Sequence, residues 1–188
     1  KAAGTVLSEL KKLGISPLRF AVGLVDKESR KSQSYSFLSS DDSDTLAMVG
    51  SITLTGNPVI EKVFASWEAG EDYFPELFGD AWKSYYEAVA PALSMPSVPQ
   101  SQLEQKHYGS FLFMSLGYVV AWTQEALDET EVRTIKRFAS IIDLTFRRYI
   151  ELQKAEANAL EATRSASLDR VRAEIASMRS TNDLERIT

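Results

Sequence analysis

Residues 147–180, RRYIELQKAEANALEATRSASLDRVRAEIASMRS, contain neither glycine nor proline and interleave acids, bases and small apolar residues. The last glycine is Gly117 and the last proline Pro99, while Asp128 followed by Glu131 resembles a capping box with Asp in place of Ser or Thr. A helix can therefore run from about 129 to about 180. At ~1.5 Å per residue it would be roughly 75 Å long, against about 30–40 Å for a domain of this size. Its second half is expected to project.

Such a helix must bury its apolar residues somewhere. Ile135, Phe138, Ile142, Tyr149 and Leu152 fit one a/d register with Thr145, and Leu168, Val171, Ile175 and Met178 fit a second. The two registers differ in phase and break within KAEANALEATRSAS, where alanines replace large residues. An apolar stripe with no home in its own domain is expected to pair with a second copy. Tyr149, Leu152, Leu168, Val171, Ile175 and Met178 are the candidate dimerisation residues. The alternative is a surface helix that folds back.

Upstream, Val6, Leu10 and Leu13 mark a short packing helix stopped at Gly14. PLRFAVGLVD alternates, with Leu18, Phe20, Val22 and Leu24 on one side, and QSYSFLSS follows after the polar turn KESRKS; these read as an antiparallel strand pair. AMVGSITLTG, residues 47–56, predicts a third strand. Asn57-Pro58 begins a helix carrying Ile60, Val63, Phe64 and Trp67 before Gly70. Trp82, Tyr85, Tyr86 and Val89 define another, closed by Pro91, with a proline-containing loop, SMPSVPQSQ, after it. HYGSFLFMSLGYVVAW predicts two buried, central strands joined at SLG. The order predicts an α+β fold, a five- or six-stranded antiparallel sheet with helices on its faces, plus the long C-terminal helix. The expected division is a globular domain over 1–152 and a linker helix over 153–188, continuous with the helix starting near 129.

Composition narrows the chemistry. With no cysteine, disulfides, thiolate nucleophiles and thioether-linked cofactors are excluded. A net charge of −5 argues against nucleic acid as a partner. From Glu129 onward eleven basic residues face ten acidic ones, against ten and sixteen before it, so the acidity belongs to the globular part. No apolar run approaches the roughly 20 residues that cross a bilayer. The chain begins at Lys1 without an initiator Met and is expected to be a piece of a larger, cytoplasmic protein whose membrane anchorage stays open.

LGISPLRFAVGLVD, LTGNPVIEKVFASWEAGE and the run from RFASIIDLTFRRYIELQKAEA to LDRVRAEIASM resemble the GAF-type sensor domains, with trailing linker helices, of bacterial multidomain signalling proteins related to two-component sensor kinases. The resemblance covers essentially the whole chain and implies a dimeric, non-catalytic regulatory domain that passes a signal to a covalently linked output or further sensory domain. It carries no ligand or cofactor with it. Covalent bilin attachment and sulfoxide reduction in that family need cysteines. Its cyclic-nucleotide binders carry an Asn-Lys where this chain has Asn57-Pro58, and an Asp-Glu pair that Asp128-Glu129 matches poorly.

Eight of the 19 aromatic residues lie between Phe64 and Tyr86. They can line a cavity for a planar or apolar ligand, or simply pack two helices onto the sheet. The candidate ligand-binding residues are Trp67, Tyr73, Phe74 and Tyr85, with Trp82 expected in the core. Glu71, Asp72 and Glu76 allow the rival reading of a small-molecule enzyme using paired carboxylates; a third reading is a dimerisation module with no ligand. His107 is the only histidine, so a multi-histidine metal site is excluded. The acidic DDSD at 41–44 lacks the Gly and terminal Glu of a calcium loop.

Overall fold

Three hairpin-like pairings build the sheet: β1 (Arg19–Asp26) with β2 (Lys31–Ser39), β2 with β3 (Thr45–Thr53), and β5 (His107–Met114) with β6 (Gly117–Thr123). A computed structural model describes residues 9–39 and 45–185, with side chains for 9–38 and 47–176. Val6, the DDSD segment and the side chain of Met178 lie outside the described residues. β1 pairs with β6 antiparallel, Arg19 opposite Trp122 and Val22 opposite Val119, and so joins the two halves. The six-stranded order is β3-β2-β1-β6-β5-β4, where β4 (Glu76–Leu77) is a two-residue edge strand. The fold is α+β, with every strand pairing antiparallel.

Between β3 and β5 lie three helices, α2 (Pro58–Ala69), α3 (Asp80–Leu93) and α4 (Gln100–Leu103); residues 9–12 form the described part of α1, and α5 spans Glu129–Glu185. The sequence accounts for most of their ends. Asn57 caps α2, its Oδ1 accepting from Val59 N at 3.0 Å and Ile60 N at 3.4 Å, and Gly70 closes the helix at φ 69°. At α5, Asp128 Oδ1 accepts from Thr130 N and Glu131 N while Glu131 Oε2 accepts from Asp128 N at 2.8 Å, the reciprocal pair the capping box predicts.

Three expectations need correction. Pro91 does not end α3: the helix continues to Leu93 and closes at Ser94, in the left-handed region at φ 52°. Proline removes one N–H donor and crowds the carbonyl four residues back, yet two more residues stay helical and Leu93 is buried, 3% exposed. The proline-containing loop holds a helical turn, α4, and a two-residue strand, β4, precedes α3 where no strand was expected; both are shorter than a periodicity can register.

The sheet is covered on both faces. Ala21, Phe111, Tyr118, Val120 and Trp122 share one cluster with Ile60, Val63 and Phe64 of α2 and Trp82, Tyr85, Tyr86 and Val89 of α3. Strand alternation puts Phe20, Val22, Leu112 and Val119 on the opposite face, where they too are buried, together with Leu10 of α1 and Ile135 and Ala139 of α5. The alternation expected for Leu18, Phe20, Val22 and Leu24 thus describes the second layer; the aromatic core lies over the face bearing Arg19 and Ala21.

Two compact units make up the chain, Lys1–Leu144 and Thr145–Thr188, and α5 contributes to each. Within the first, α5 is tied to the ends of the sheet. Asp143, 7% exposed, accepts from Ser115 Oγ at 2.7 Å and Leu116 N at 3.2 Å in the β5–β6 turn. Lys136 Nζ reaches Asp72 Oδ2 at 2.5 Å while Asp72 Oδ1 accepts from Phe113 N. In the second unit every side chain from 151 to 176 is exposed.

A donor-rich cavity beside Arg19

Arg19 begins β1 opposite Trp122 of β6, and both side chains rise on the face that α3 covers. Trp122 has room because its neighbour on β5 is Gly109, where a Cβ would lie 2.9 Å from the indole and from Pro75 Cγ. The result is a close aromatic cluster. Trp82 meets Trp122 edge-on at 4.9 Å and stacks on His107 at 3.8 Å and 12°, and Tyr85 lies 4.9 Å from Trp122.

Arg19 is 5% exposed, yet its partners are neutral. Nη2 donates to Tyr85 Oη at 2.6 Å, Nη1 to Met95 Sδ at 3.6 Å, and the guanidinium lies 5.4 Å from the Tyr85 ring centroid. No carboxylate of the described residues pairs with it. A buried charge without a counter-charge costs several kcal/mol. The Arg19 charge reaches its neighbours: burial pushes Tyr118 up to about 12 and raises Tyr86, and in both the arginine pulls the other way.

The donors outnumber the acceptors here. Trp122 Nε1 also donates to Tyr85 Oη, at 3.2 Å, so this hydroxyl accepts twice, with no bond donated by it among the described residues. Arg19 Nε and Trp82 Nε1 are buried N–H groups without partners. The other buried polar atoms without a partner among the described residues are His107 Nδ1, which is an acceptor, and the hydroxyls of Ser32 and Ser36. His107 donates from Nε2 to Gln102 O at 2.8 Å, and burial lowers its pKa, so the ring is neutral near pH 7. Arg19, Trp82, Trp122, Tyr86, Met95 and Pro96 are among the walls of a cavity of about 240 Å³, bounded on one side by the loop after α3. It can hold a planar apolar body against the rings and an acceptor-rich group against the donors.

The structure distributes the four candidate ligand residues rather than gathering them. Trp67 is half-buried, donates from Nε1 to Met114 O at 3.2 Å and lines an open cleft with Phe113 and Lys27. Tyr73 stacks on Phe111 at 5.9 Å and bridges it through the backbone; Phe74 is 54% exposed. Tyr85 alone belongs to the Arg19 cluster. Trp82 is buried, yet it also forms part of the cavity wall. Arg19 escaped the sequence reading altogether: with Leu18, Phe20, Val22 and Leu24 read as the packed side, alternation assigns it to the other side with Ala21, Gly23 and Val25. The carboxylates of the enzyme reading go elsewhere. Asp72 pairs with Lys136 and Glu76 with Lys106, and Glu71 is exposed. Among the described residues no three His, Asp or Glu side chains are grouped to hold a metal ion, and no helix is long and apolar enough to cross a membrane.

On the second unit Tyr149, Leu152, Leu168, Val171 and Ile175 are each more than half exposed. Leu160, 54% exposed, was missed. It falls midway between Tyr149 and Val171 at eleven-residue steps, a spacing that keeps all three near one line of an α-helix and spans the alanine-rich segment where the heptads break.

No protein-family model matches this chain, and neither a curated protein nor a solved structure matches it.

Proposed function

We propose that the chain is a non-catalytic sensory or regulatory domain of a bacterial, cytoplasmic signal-transduction protein of the GAF type. It dimerises through α5, binds a small ligand between the sheet and α3, and relays the change to a covalently linked output or further sensory domain. The observation that carries the reading is the apolar line on α5 at Tyr149, Leu160 and Val171, flanked by Leu152, Leu168 and Ile175, all exposed in a single copy. A helix that is polar except for such a line is stable when a second helix covers it. The same helix begins in the first unit, where Asp143 and Lys136 tie it to the β5–β6 turn and to Asp72. A shift of the sheet thus acts on the helix through hydrogen bonds and an ion pair, as a two-state relay requires.

Light scattering across a concentration series tests this. A dimer is expected; Leu160→Glu, or truncation after Leu152, should weaken association and leave the first unit folded. A compact monomer at high micromolar concentration would remove the proposal.

A further inference from the structure

The geometry points to a small carboxylate on a flat, ring-bearing body as the occupant of the Arg19 cavity. This deepens the sensory reading and rests on it. Two buried donors on residues that line the cavity lack acceptors among the described residues: Arg19 Nε and Trp82 Nε1. Arg19 and Trp82 both line the cavity, and each is at least nine-tenths buried. Water could accept from these groups, but it would leave the guanidinium charge uncompensated. An anion satisfies the donors and the charge together.

Shape selects among anions. A planar carboxylate matches the guanidinium fork, whereas the remaining walls offer Trp122, Tyr86, Pro96 and Pro99, which suit an apolar ring, and Gln102 as the other polar side chain, with no second cation among the described lining residues for a bulky polyanion. The cavity, about 240 Å³, has room for a single ring with its carboxylate.

Thermal unfolding of the full chain in sodium benzoate tests the assignment, with benzamide, sodium phosphate and sodium chloride at matched ionic strength as comparators. At ten times its Kd, benzoate should raise Tm by roughly 3–6 °C, and benzamide, the same shape without the charge, should not. Arg19→Lys keeps the charge but loses the fork, and should weaken the benzoate response about tenfold or more. Arg19→Met should be at least as stable as wild type without ligand, because it removes an uncompensated buried charge, and should lose the response. The inference is overturned if benzoate acts no differently from chloride, if benzamide stabilises equally, or if phosphate alone stabilises. A large loss of stability in Arg19→Met would overturn it too, since the guanidinium would then already have its partner. A dimer indifferent to benzoate refutes the carboxylate site alone; a monomer that binds benzoate refutes the relay alone.

Discussion

Replacing Gly50 by alanine should be among the most damaging single-methyl additions in this protein. Gly50 lies in β3 beneath the last turn of α3, and a Cβ there would meet Ala92 O at 1.8 Å and Ala92 C at 2.7 Å. A Cβ and a carbonyl oxygen need at least about 3.0 Å, so the strand and helix must part by ~1.2 Å or more. Neither side can rotate away, because both contacts are main chain. Overpacking costs typically ~1–3 kcal/mol, and a clash without side-chain relief belongs at the top of that range. A loss of about 3 kcal/mol lowers Tm by roughly 6–12 °C in a chain of this length. Urea unfolding should show a lower midpoint with an unchanged slope. Gly70→Ala is the comparison: its φ is 69° but nothing lies within 4 Å of the added atom, so only conformational strain of about 1 kcal/mol applies. If Gly50→Ala unfolds within about 0.5 kcal/mol of wild type, the close seating of α3 on β3 is wrong, and with it the wall of the Arg19 cavity.

Trp82→Ala should cost ~3–5 kcal/mol by urea denaturation, since the ring is buried between His107 and Trp122. Trp67→Ala, which loses a half-buried ring and one hydrogen bond to Met114 O, should cost about half as much, and equal losses would contradict the contrast. Burial lowers the His107 pKa, so below about pH 6.5 the unfolded chain takes up a proton that the folded chain refuses. The stability contributed by neutral histidine is therefore full above that pH and lost as pH falls, and His107→Gln should have a flatter profile between about pH 7.5 and 5.5. Asp128→Ala removes the side-chain half of the α5 capping box, the acceptor for Thr130 N and Glu131 N, while the backbone N–H at 128 keeps its bond to Glu131 Oε2; it should lower stability by ~1 kcal/mol, and circular dichroism during unfolding measures it.

Local chemistry was legible without any coordinates. Asn57-Pro58 and Gly70 bracket α2 because a cap needs only the residues beside it, and Asp128 with Glu131 starts α5 for the same reason. Pairing each apolar run with its neighbour also placed β1 with β2 and β5 with β6, since short turns join them. Leu160 was readable in principle, through an eleven-residue period rather than seven. What covers each face of the sheet was not. Period-two alternation says that Arg19 and Ala21 share a side and that Phe20 and Val22 share the other, but not which side receives a helix. That depended on β1 pairing with β6, a contact between segments some hundred residues apart, which laid Trp122 beside Arg19 and left α3 to close over both. The arginine reads as a surface residue from its neighbours in sequence. It became a buried, unpaired cation only because two distant strands met and a helix packed across them.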